Sequence, residues 1–318
     1  MTKTRVAVVG AGVFGRHHLR ILGRSDAVEL AGVVDIDADR AAAAASTYGC
    51  PAFASVDQLT GGIDAAIVAV PTSAHADVGC ALLDAGVDVL VEKPIAADVA
   101  SGRRLVDAAA RRGRILQVGH LERFNPAVMA LKKIVNIPLF FEIHRLSLPG
   151  PRSLDVDVVL DLMIHDLDIV LDLVGEMPEE IRAAGLSVLS DKIDIASVRL
   201  AFPGGCVANL TASRVSTDRV RKLRLFQPHQ YISLDYQKQD VAAFTVSGNQ
   251  QIGFQPLPVA KDEPLRLEIE AFLESVRTRN RPLVPGEEGL RALGAARDII
   301  AKIEVHSKLV AQRIQSLT

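Results

Sequence analysis

Residues 10–15 read Gly10-Ala11-Gly12-Val13-Phe14-Gly15, and they lie between a short β-branched run, Arg5 to Val9, and a helical stretch from Arg16 to Gly23. This order predicts a strand, a glycine turn and a helix. The first glycine permits the tight turn, the second lets the backbone approach a pyrophosphate, and the third allows the helix to pack closely on the strand. The helix N-terminus adds N–H groups and a dipole that attract the anion. The stretch therefore predicts a dinucleotide site.

An acidic residue follows at the distance that this fingerprint requires. Asp35 ends the next apolar run, Val28 to Val34, about 20 residues after the glycines. Its carboxylate can accept hydrogen bonds from the ribose hydroxyls there. A carboxylate also repels the 2′-phosphate of NADP, and neither Ile36 nor Asp37 supplies a cation, although Arg40 lies close by. NAD is favoured over NADP, and the alternative role for Asp35 is to cap the alanine-rich helix that follows.

Strands and helices continue to alternate as far as residue 120. Apolar strands are predicted over 63–70, 87–91 and 115–118, with helices over 75–85 and 98–112. This alternation predicts an α/β fold with a parallel, doubly wound Rossmann sheet over residues 1–122. Ligands of such sheets bind outside the carboxyl ends of the strands. The candidates that follow these ends are Thr72, His75, Glu92, Lys93 and His120, although His75 also fits a helix N-terminus without a chemical role.

The tripeptide Glu92-Lys93-Pro94 follows one of these strands. The proline disfavours the α region for the backbone of Lys93, which limits where the ammonium can point. Out of context, Lys-Pro marks a turn at the end of a strand. Beside a dinucleotide it places a cation near the cofactor, so we interpret Glu92 and Lys93 as cofactor contacts and Lys93 also as a catalytic candidate.

The alternation stops after Asn125-Pro126. A helix to about residue 136 leads into a segment, 138–147, that alternates as an antiparallel strand does. Further short strands are predicted over 181–189, 196–202, 207–213, 222–227 and 231–236. Strands at this spacing predict a mostly antiparallel open sheet. Residues 123–318 are therefore expected to form a second, α+β domain. Its regular C-terminal helices are expected to be packing elements that can return to the first domain.

One helix of the second domain, predicted over 157–174, has a polar seam. Asp161 and His165 are four residues apart on one helical face, where a carboxylate can orient an imidazole and stabilise its protonated form. Asp168 extends that face by three residues. The alternatives are a solvated polar stripe and a metal site, but no second histidine has helical ligand spacing, and His144 would have to meet His165 through the fold. We expect an acid–base pair and no metal.

The composition is that of an ordinary globular protein. The chain has 318 residues, 49% of them hydrophobic, and 36 Lys and Arg against 38 Asp and Glu give a net charge of −2. This balance offers no field for nucleic acid or an anionic membrane. No apolar stretch has membrane-spanning length, and three widely spaced cysteines fit a reducing cytoplasm. We expect a cytoplasmic protein with no nucleic-acid partner and no membrane insertion.

Three motifs in this order, Gly10-x-Gly12-x-x-Gly15, Glu92-Lys93-Pro94 and Asp161-x-x-x-His165, resemble the glucose-fructose oxidoreductase/inositol dehydrogenase/rhizopine catabolism (Gfo/Idh/MocA) family. The resemblance covers nearly the whole chain. It implies a Rossmann domain joined to an α/β domain whose open sheet often forms homodimers or homotetramers, and a sugar, cyclitol or sugar-nucleotide substrate. It also implies that Lys93 contacts the reacting hydroxyl, that His165 is its acid–base partner and that Asp161 lies close to the substrate.

Two further segments, 119–126 and 221–236, are similar to family members that act on nucleotide-linked amino sugars, notably UDP-N-acetylglucosamine 3-dehydrogenases of lipid A and surface polysaccharide pathways. This similarity implies oxidation of the sugar 3-hydroxyl, with Arg123 and Asn125 as substrate-binding candidates. Planar guanidinium groups suit phosphate oxygens. The arginines that could contact a diphosphate are Arg123, Arg145, Arg152, Arg214 and Arg221.

Other functions fit the same motifs. They are a dehydrogenase of a free sugar or cyclitol such as inositol, a glycosidase that oxidises and re-reduces its NAD within one turnover, and a non-catalytic NAD-dependent sensor. The joint presence of Lys93, Asp161 and His165 argues against the sensor. In the dehydrogenase scheme either Lys93 or His165 can take the hydroxyl proton.

Overall fold

The structure is a computed structural model that describes residues 3–59, 62–150, 156–246 and 251–316. The chain divides into two compact units, Met1–Leu121 with Glu263–Leu290, and Glu122–Asp262 with Arg291–Thr318. We call them the first and the second unit. Within the described ranges, no helix combines the length and the apolar character that a membrane crossing requires.

Strands and helices are numbered in chain order. The strands are β1 (Thr4–Val9), β2 (Val28–Val34), β3 (Ala52–Phe53), β4 (Ala65–Val68), β5 (Asp88–Glu92), β6 (Leu116–Gly119), β7 (Phe140–Leu146), β8 (Glu180–Leu186), β9 (Ile195–Ala201), β10 (Val207–Ser213), β11 (Val220–Gln227), β12 (Gln230–Asp235), β13 (Asp240–Val246) and β14 (Ile252–Pro256). The helices are α1 (Val13–Leu22), α2 (Ala38–Tyr48), α3 (His75–Asp84), α4 (Val99–Arg112), α5 (Pro126–Lys132), α6 (Ile164–Val174), α7 (Pro264–Thr278) and α8 (Gly286–Gln315).

The first unit contains a six-stranded parallel sheet in the order β3-β2-β1-β4-β5-β6. The central strand β4 is apolar at every position and fully buried, and so are the last four residues of β1, as expected for a parallel sheet that helices cover on both faces. The strand order reverses between β1 and β4, and the crevice at such a point is where Rossmann sheets bind dinucleotides. The predicted doubly wound fold is confirmed.

Helix α7, from the C-terminal part of the chain, belongs to the core of the first unit. Ile269 and Phe272 are buried in one apolar cluster with Leu19 of α1 and Val33 of β2. The sequence divided the chain at residue 122, whereas the first unit also includes Glu263–Leu290. Its hydrophobic core therefore needs residues that follow the entire second sheet in sequence.

The second unit contains an eight-stranded sheet in the order β14-β13-β12-β11-β7-β10-β9-β8. All neighbouring strands are antiparallel except β7 and β10, which run parallel. Side chains alternate between a buried and a more exposed face, as Phe141 and Ile143 do against Phe140 and Glu142 in β7. The prediction of a mostly antiparallel sheet is confirmed.

The helix predicted over 157–174 differs from a regular α-helix. Residues Val159–Met163 form a π-helical turn, and α6 continues from it to Gly175, which has a left-handed φ of 81°. Single π-turns inside helices occur frequently at functional sites. The turn lies where Asp161 begins the polar seam.

Candidate functional site

A cavity of about 620 Å³ opens at the carboxyl end of the first sheet. Its lining includes Gly10, Gly12, Phe14, Asp35, Arg40 and Ser73. Val13 also lines it, so four of the five residues predicted from the glycine turn, all but Gly15, contribute to its wall. The cavity lies beside β1, β2 and β4, where the strand order reverses.

A different structural feature explains each of the three glycines of the turn. Gly10 has a φ of 100°, and a Cβ there would lie 2.4 Å from the carbonyl oxygen of Ala69. A Cβ on Gly15 would lie 1.7 Å from the oxygen of Gly10, so the helix could not approach the strand. A Cβ on Gly12 would meet nothing within 4 Å. Gly10 and Gly15 are therefore required by the fold, whereas Gly12 leaves open space at the N-terminus of α1, as a pyrophosphate needs.

Asp35 ties the end of β2 to the glycine turn. Its Oδ2 accepts a 2.8 Å hydrogen bond from the N–H of Ala11, and its Oδ1 accepts one of 2.9 Å from the N–H of Asp37. Asp37, and not Asp35, caps α2, through the N–H of Arg40. The guanidinium of Arg40 lies 3.4 Å from Asp35 and 3.0 Å from Asp37. The nearby cation, Arg40, is thus paired with two carboxylates. Asp35 keeps its carboxylate at the position predicted to contact the ribose.

His75 anchors the turn that carries Lys93. The imidazole is buried, with Nδ1 2.9 Å from the carbonyl oxygen of Pro94 and Nε2 3.0 Å from that of Val70. Burial lowers the pKa of His75, opposed by these hydrogen bonds. Thr72 is the first residue of the short 3-10 helix Thr72–Ala74. Its chain neighbours, Pro71 and Ser73, line the cavity. These contacts give His75 a structural role at the strand ends, and its contact with the cofactor stays a prediction.

Glu92 ends β5 next to the half-buried Lys93. Its Oε1 lies 2.7 Å from Nε2 of His18, which is fully buried on α1. Burial alone would raise the pKa of Glu92, but the hydrogen bond from His18 and the charges of His18 and Lys93 lower it below its usual value. A Cβ on Gly119, the partner of Glu92 on β6, would come within 3.1 Å of its Oε2. The first unit therefore holds a half-buried anion directly before the candidate lysine.

A second carboxyl group lies close enough to Glu92 to affect its ionisation. Glu268 of α7 is fully buried, and neither carboxyl oxygen has a hydrogen-bond partner within the described part of the chain. Burial, with the negative charge of Glu92, raises the pKa of Glu268 well above its usual value. Of two close carboxyl groups, the one without a cationic partner keeps its proton. Sequence reasoning assigned α7 to packing alone and missed both Glu268 and His18.

The polar seam of the second unit contains the predicted acid–base pair. Asp161 lies on the π-turn, and His165 lies in the first turn of α6. Both side chains are half-buried, and the N–H of Asp161 donates to the carbonyl oxygen of Asp157 at 3.0 Å. A half-buried carboxylate and imidazole on one helical segment are chemically suited to hold and move a proton.

Other acids of α6 are bound by arginines. Asp166 accepts two hydrogen bonds from Arg145, at 2.7 and 2.8 Å. Asp168 is buried 3.5 Å from Arg123, and burial raises its pKa to about 7 despite that guanidinium. Asp168, which the sequence placed on the Asp161/His165 face, is thus part of a buried ion-pair cluster in the same unit.

The predicted substrate contacts Arg123 and Asn125 are buried within the second unit. Arg123 lies 2.8 Å from Asp172. Asn125 caps α5 by accepting from the N–H of Ala127 at 3.0 Å, and its amide donates to Glu122 and to the carbonyl oxygen of Tyr236, both at 3.1 Å. These contacts favour structural roles, and binding of substrate by either residue stays a prediction.

The other arginines differ in their partners. Arg145 lies 2.9 Å from Glu122 in addition to Asp166, and Arg214 lies 2.7 Å from Asp194. Arg152 lies outside the described residues.

Within the ranges that the structure describes, no group of three His, Cys, Asp or Glu side chains could hold a metal ion.

Two family descriptions match the chain. One, the Gfo/Idh/MocA oxidoreductase family with an NAD-binding Rossmann fold, matches residues 4–120. The other, a Gfo/Idh/MocA C-terminal domain, matches residues 151–228. The first match covers the glycine turn, Asp35 and Lys93, and it agrees with the fit of the cavity to a dinucleotide. The cofactor of this domain is NAD.

Relatives match over different spans. UDP-N-acetylglucosamine 3-dehydrogenase from Acidithiobacillus ferrooxidans is 37% identical over 310 residues, which are 96% of this chain and 98% of that protein. A solved structure of that enzyme has a TM-score of 0.91 at 36% identity and covers 96% of this chain and 99% of its own. Inositol 2-dehydrogenase from Corynebacterium glutamicum is 32% identical over 182 residues, 54% of each protein.

Proposed function

The chain belongs to the Gfo/Idh/MocA oxidoreductase family, and from this we propose that it oxidises a ring hydroxyl of a nucleotide sugar, with the 3-hydroxyl of UDP-N-acetylglucosamine as the leading candidate. The observation that carries the proposal is the degree of identity over both units. The Acidithiobacillus ferrooxidans enzyme is 37% identical over 96% of this chain, whereas an inositol dehydrogenase that also spans most of the chain, from Thermotoga maritima, is 27% identical over 91% of it. Substrate choice depends on the site and not on the fold, so the higher identity through both units supports a shared substrate class.

The reaction assigns a role to three side chains. Oxidation of a secondary alcohol removes the hydroxyl proton while a hydride leaves the same carbon, and bound NAD supplies the acceptor of that hydride. We assign Lys93 to the reacting hydroxyl, where a cation stabilises the developing negative charge on oxygen. We assign His165 as the acid–base partner, since an imidazole titrates near neutral pH. We assign Asp161 a position close to the substrate, where its carboxylate orients the imidazole of His165. Either Lys93 or His165 takes the proton.

The cofactor contacts follow from the cavity and the strand ends. Gly10, Gly12 and Gly15 with Val13 and Phe14 hold the pyrophosphate side, and Asp35 accepts from the ribose. Thr72, His75, Glu92 and Lys93 lie at or directly after the ends of the neighbouring strands β4 and β5. The pairing of Arg40 with Asp35 and Asp37 supports NAD over NADP, because no cation in this group is left for a 2′-phosphate. Arg123 and Asn125 are proposed for the substrate side.

We also propose that the protein is a homo-oligomer that associates through the open face of the second sheet. Five aromatic rings cross this face from β7 to β14, with centroids 4.9–5.7 Å apart between neighbours. They are Phe140, Phe226, Tyr231, Phe244 and Phe254. Phe226 and Phe254 are exposed, and large exposed apolar patches mark interaction surfaces. A charge substitution, Phe254→Glu, should shift the mass measured by light scattering toward the monomer.

The proposed setting is the cytoplasm, in lipid A or surface polysaccharide synthesis. Cys50, Cys80 and Cys206 are all free thiols, which supports a reducing compartment. A nucleotide-activated amino sugar is the form in which such pathways handle their building blocks. The oxidised product would then serve a downstream enzyme.

The experiment is to follow NADH absorbance with purified protein, NAD and a panel of UDP-sugars, free inositol and glucose. We expect turnover with UDP-N-acetylglucosamine and loss of at least about a hundredfold in rate for Lys93→Met and His165→Ala. Turnover of inositol or glucose, with none for any nucleotide sugar, would contradict the proposed substrate. Release of free sugar without net NADH would instead identify the glycosidase.

A further inference from the structure

The structure separates the arginines that the sequence grouped as diphosphate candidates. Arg123, Arg145 and Arg214 are each buried and paired with carboxylates of the second unit. The side chain of Arg221, by contrast, forms no hydrogen bond or ion pair with any residue that the structure describes. Its side chain is half-buried.

Arg221 lies on the helix-covered face of the second sheet. In the antiparallel pair of β11 with β7, it stands directly opposite Arg145. Residues two and four positions later on β11, Leu223 and Leu225, are fully buried on the same face. Asp166 of α6 binds Arg145 on this face. Arg221 therefore shares a face with the helix that carries His165.

The carboxylates that attract Arg221 are already bound by another arginine. Glu122 and Asp166 attract Arg221 while Arg145 and Arg219 repel it, and Arg145 binds both of these carboxylates. Like charges directly opposite each other in a sheet are destabilising. Burial and then the charge of Arg145 lower the pKa of Arg221, yet a guanidinium stays protonated in proteins.

We propose that Arg221 binds a phosphate oxygen of the diphosphate in the nucleotide-sugar substrate. This inference rests on the proposed function, and it names the residue that recognises the diphosphate. A planar guanidinium can give two parallel N–H donors to one phosphate. An incoming anion would also remove the repulsion between Arg221 and Arg145, so the site selects ligands that carry phosphate over free sugars and cyclitols.

The test measures the binding of UDP, uridine and NAD to the full-length protein by calorimetry. Arg221→Met removes the cation and keeps a side chain of similar length. Lys222→Met is the matched control, because Lys222 is the next residue, carries the same charge and is exposed on the opposite face. We expect Arg221→Met to raise the Kd for UDP at least about tenfold, with the Kd values for uridine and NAD unchanged and Lys222→Met like the wild type.

Kinetics add a second readout. Loss of a contact present in both ground and transition states raises KM and leaves kcat nearly unchanged, so Arg221→Met should retain the wild-type kcat at saturating nucleotide sugar. Arg221→Lys, which keeps the charge without the planar fork, should bind UDP less tightly than the wild type and more tightly than Arg221→Met. If Arg221→Met fails to fold, Arg221→Lys still tests whether Arg221 contacts the diphosphate.

The outcomes distinguish this inference from the proposed function. If the wild type does not bind UDP, the nucleotide-sugar proposal fails. If the wild type binds UDP and Arg221→Met binds it equally well, the assignment of Arg221 is wrong while the nucleotide-sugar proposal stands. A UDP affinity of Arg221→Lys equal to that of the wild type would also contradict the two-donor contact.

Discussion

His18 and Glu92 are joined by a hydrogen bond of 2.7 Å between Nε2 and Oε1 in the interior of the first unit. His18 is fully buried, whereas 13% of the Glu92 side chain is exposed. Glu92 precedes Lys93, so the anion that this bond stabilises stands next to the lysine assigned to the reacting hydroxyl. The first residue of Glu92-Lys93-Pro94 thus has a structural partner 74 positions away in sequence.

The substitution His18→Leu should destabilise the protein by leaving the Glu92 carboxylate without this bond. An unsatisfied buried group costs about 1–3 kcal/mol, and urea unfolding measures the loss. The pKa of Glu92 is lowered in the folded state, so the stabilisation is present above the unfolded pKa and is lost as the pH falls through the folded one. The loss should therefore be smaller in acid than at pH 7. His17→Leu, at the exposed neighbour, is the control, and an equal loss in both variants would contradict the assigned role.

The pairing of Asp35 with Arg40 gives a prediction for cofactor choice. In Asp35→Ser the repulsion of a 2′-phosphate is removed, and Arg40 is held by Asp37 alone. The ratio of the Kd for NADPH to that for NADH, measured by fluorescence, should fall at least about tenfold. In Asp37→Ser the hydroxyl still caps α2 and Asp35 remains, so the preference should not change. An unchanged ratio in Asp35→Ser would show that Asp35 does not determine specificity.

Local patterns predicted most of the fold. Both β2 and β10 begin and end where the sequence predicted, because each is a short apolar or alternating run between turn signals. Strands β13 and β14 were missed, since residues such as Gly253 and Pro256 give β14 no strand pattern, and it forms by pairing with β13. The π-turn at Val159–Met163 also has no sequence signature.

The candidate site was predictable where its residues are close in sequence. The glycine turn and Asp35 form one such motif. Ion pairs between distant residues were not predictable, because a sequence does not show which carboxylate an arginine will meet. Arg279, for example, pairs with the buried Asp88, which lies far away in the chain. The same limit hid Glu268, because Glu92, whose charge raises the pKa of Glu268, lies far away in the chain.

Asp168 should make stability fall as the pH rises. Its pKa is about 7 in the folded protein because it is buried, and about 4 when unfolded. Between these values the folded state holds a proton that the unfolded state has released, so the free energy of unfolding decreases with pH. Asp168→Asn, which mimics the neutral form, should gain up to about 4 kcal/mol relative to the wild type between pH 4 and pH 8. Asp77→Asn, at an exposed carboxylate, should show no such change in urea unfolding.

The ion pair of Arg214 and Asp194 braces the segment before the helix that carries Asp161 and His165. Nε of Arg214 lies 2.7 Å from Asp194, and its Nη2 donates to the carbonyl oxygens of Val156 and Ile193 at 2.6 and 2.9 Å. The N–H groups of residues 188, 189 and 190 donate to Asp194. Burial alone would raise the pKa of Asp194, but these hydrogen bonds, with the one from Arg214, lower it to about 2. The pair therefore stays charged across the physiological range.

Arg214→Met should lower the free energy of unfolding by about 3–5 kcal/mol, because it leaves the Asp194 charge buried without its cation. Since Val156 and Ile193 are adjacent to the backbone that leads into the π-turn, kcat should also fall while the Kd for NAD stays constant. Arg199→Met, at an exposed arginine of β9, should change stability by less than about 0.5 kcal/mol. If Arg214→Met is folded at the assay temperature and its kcat equals that of the wild type, the Arg214–Asp194 pair contributes to stability alone and does not affect catalysis.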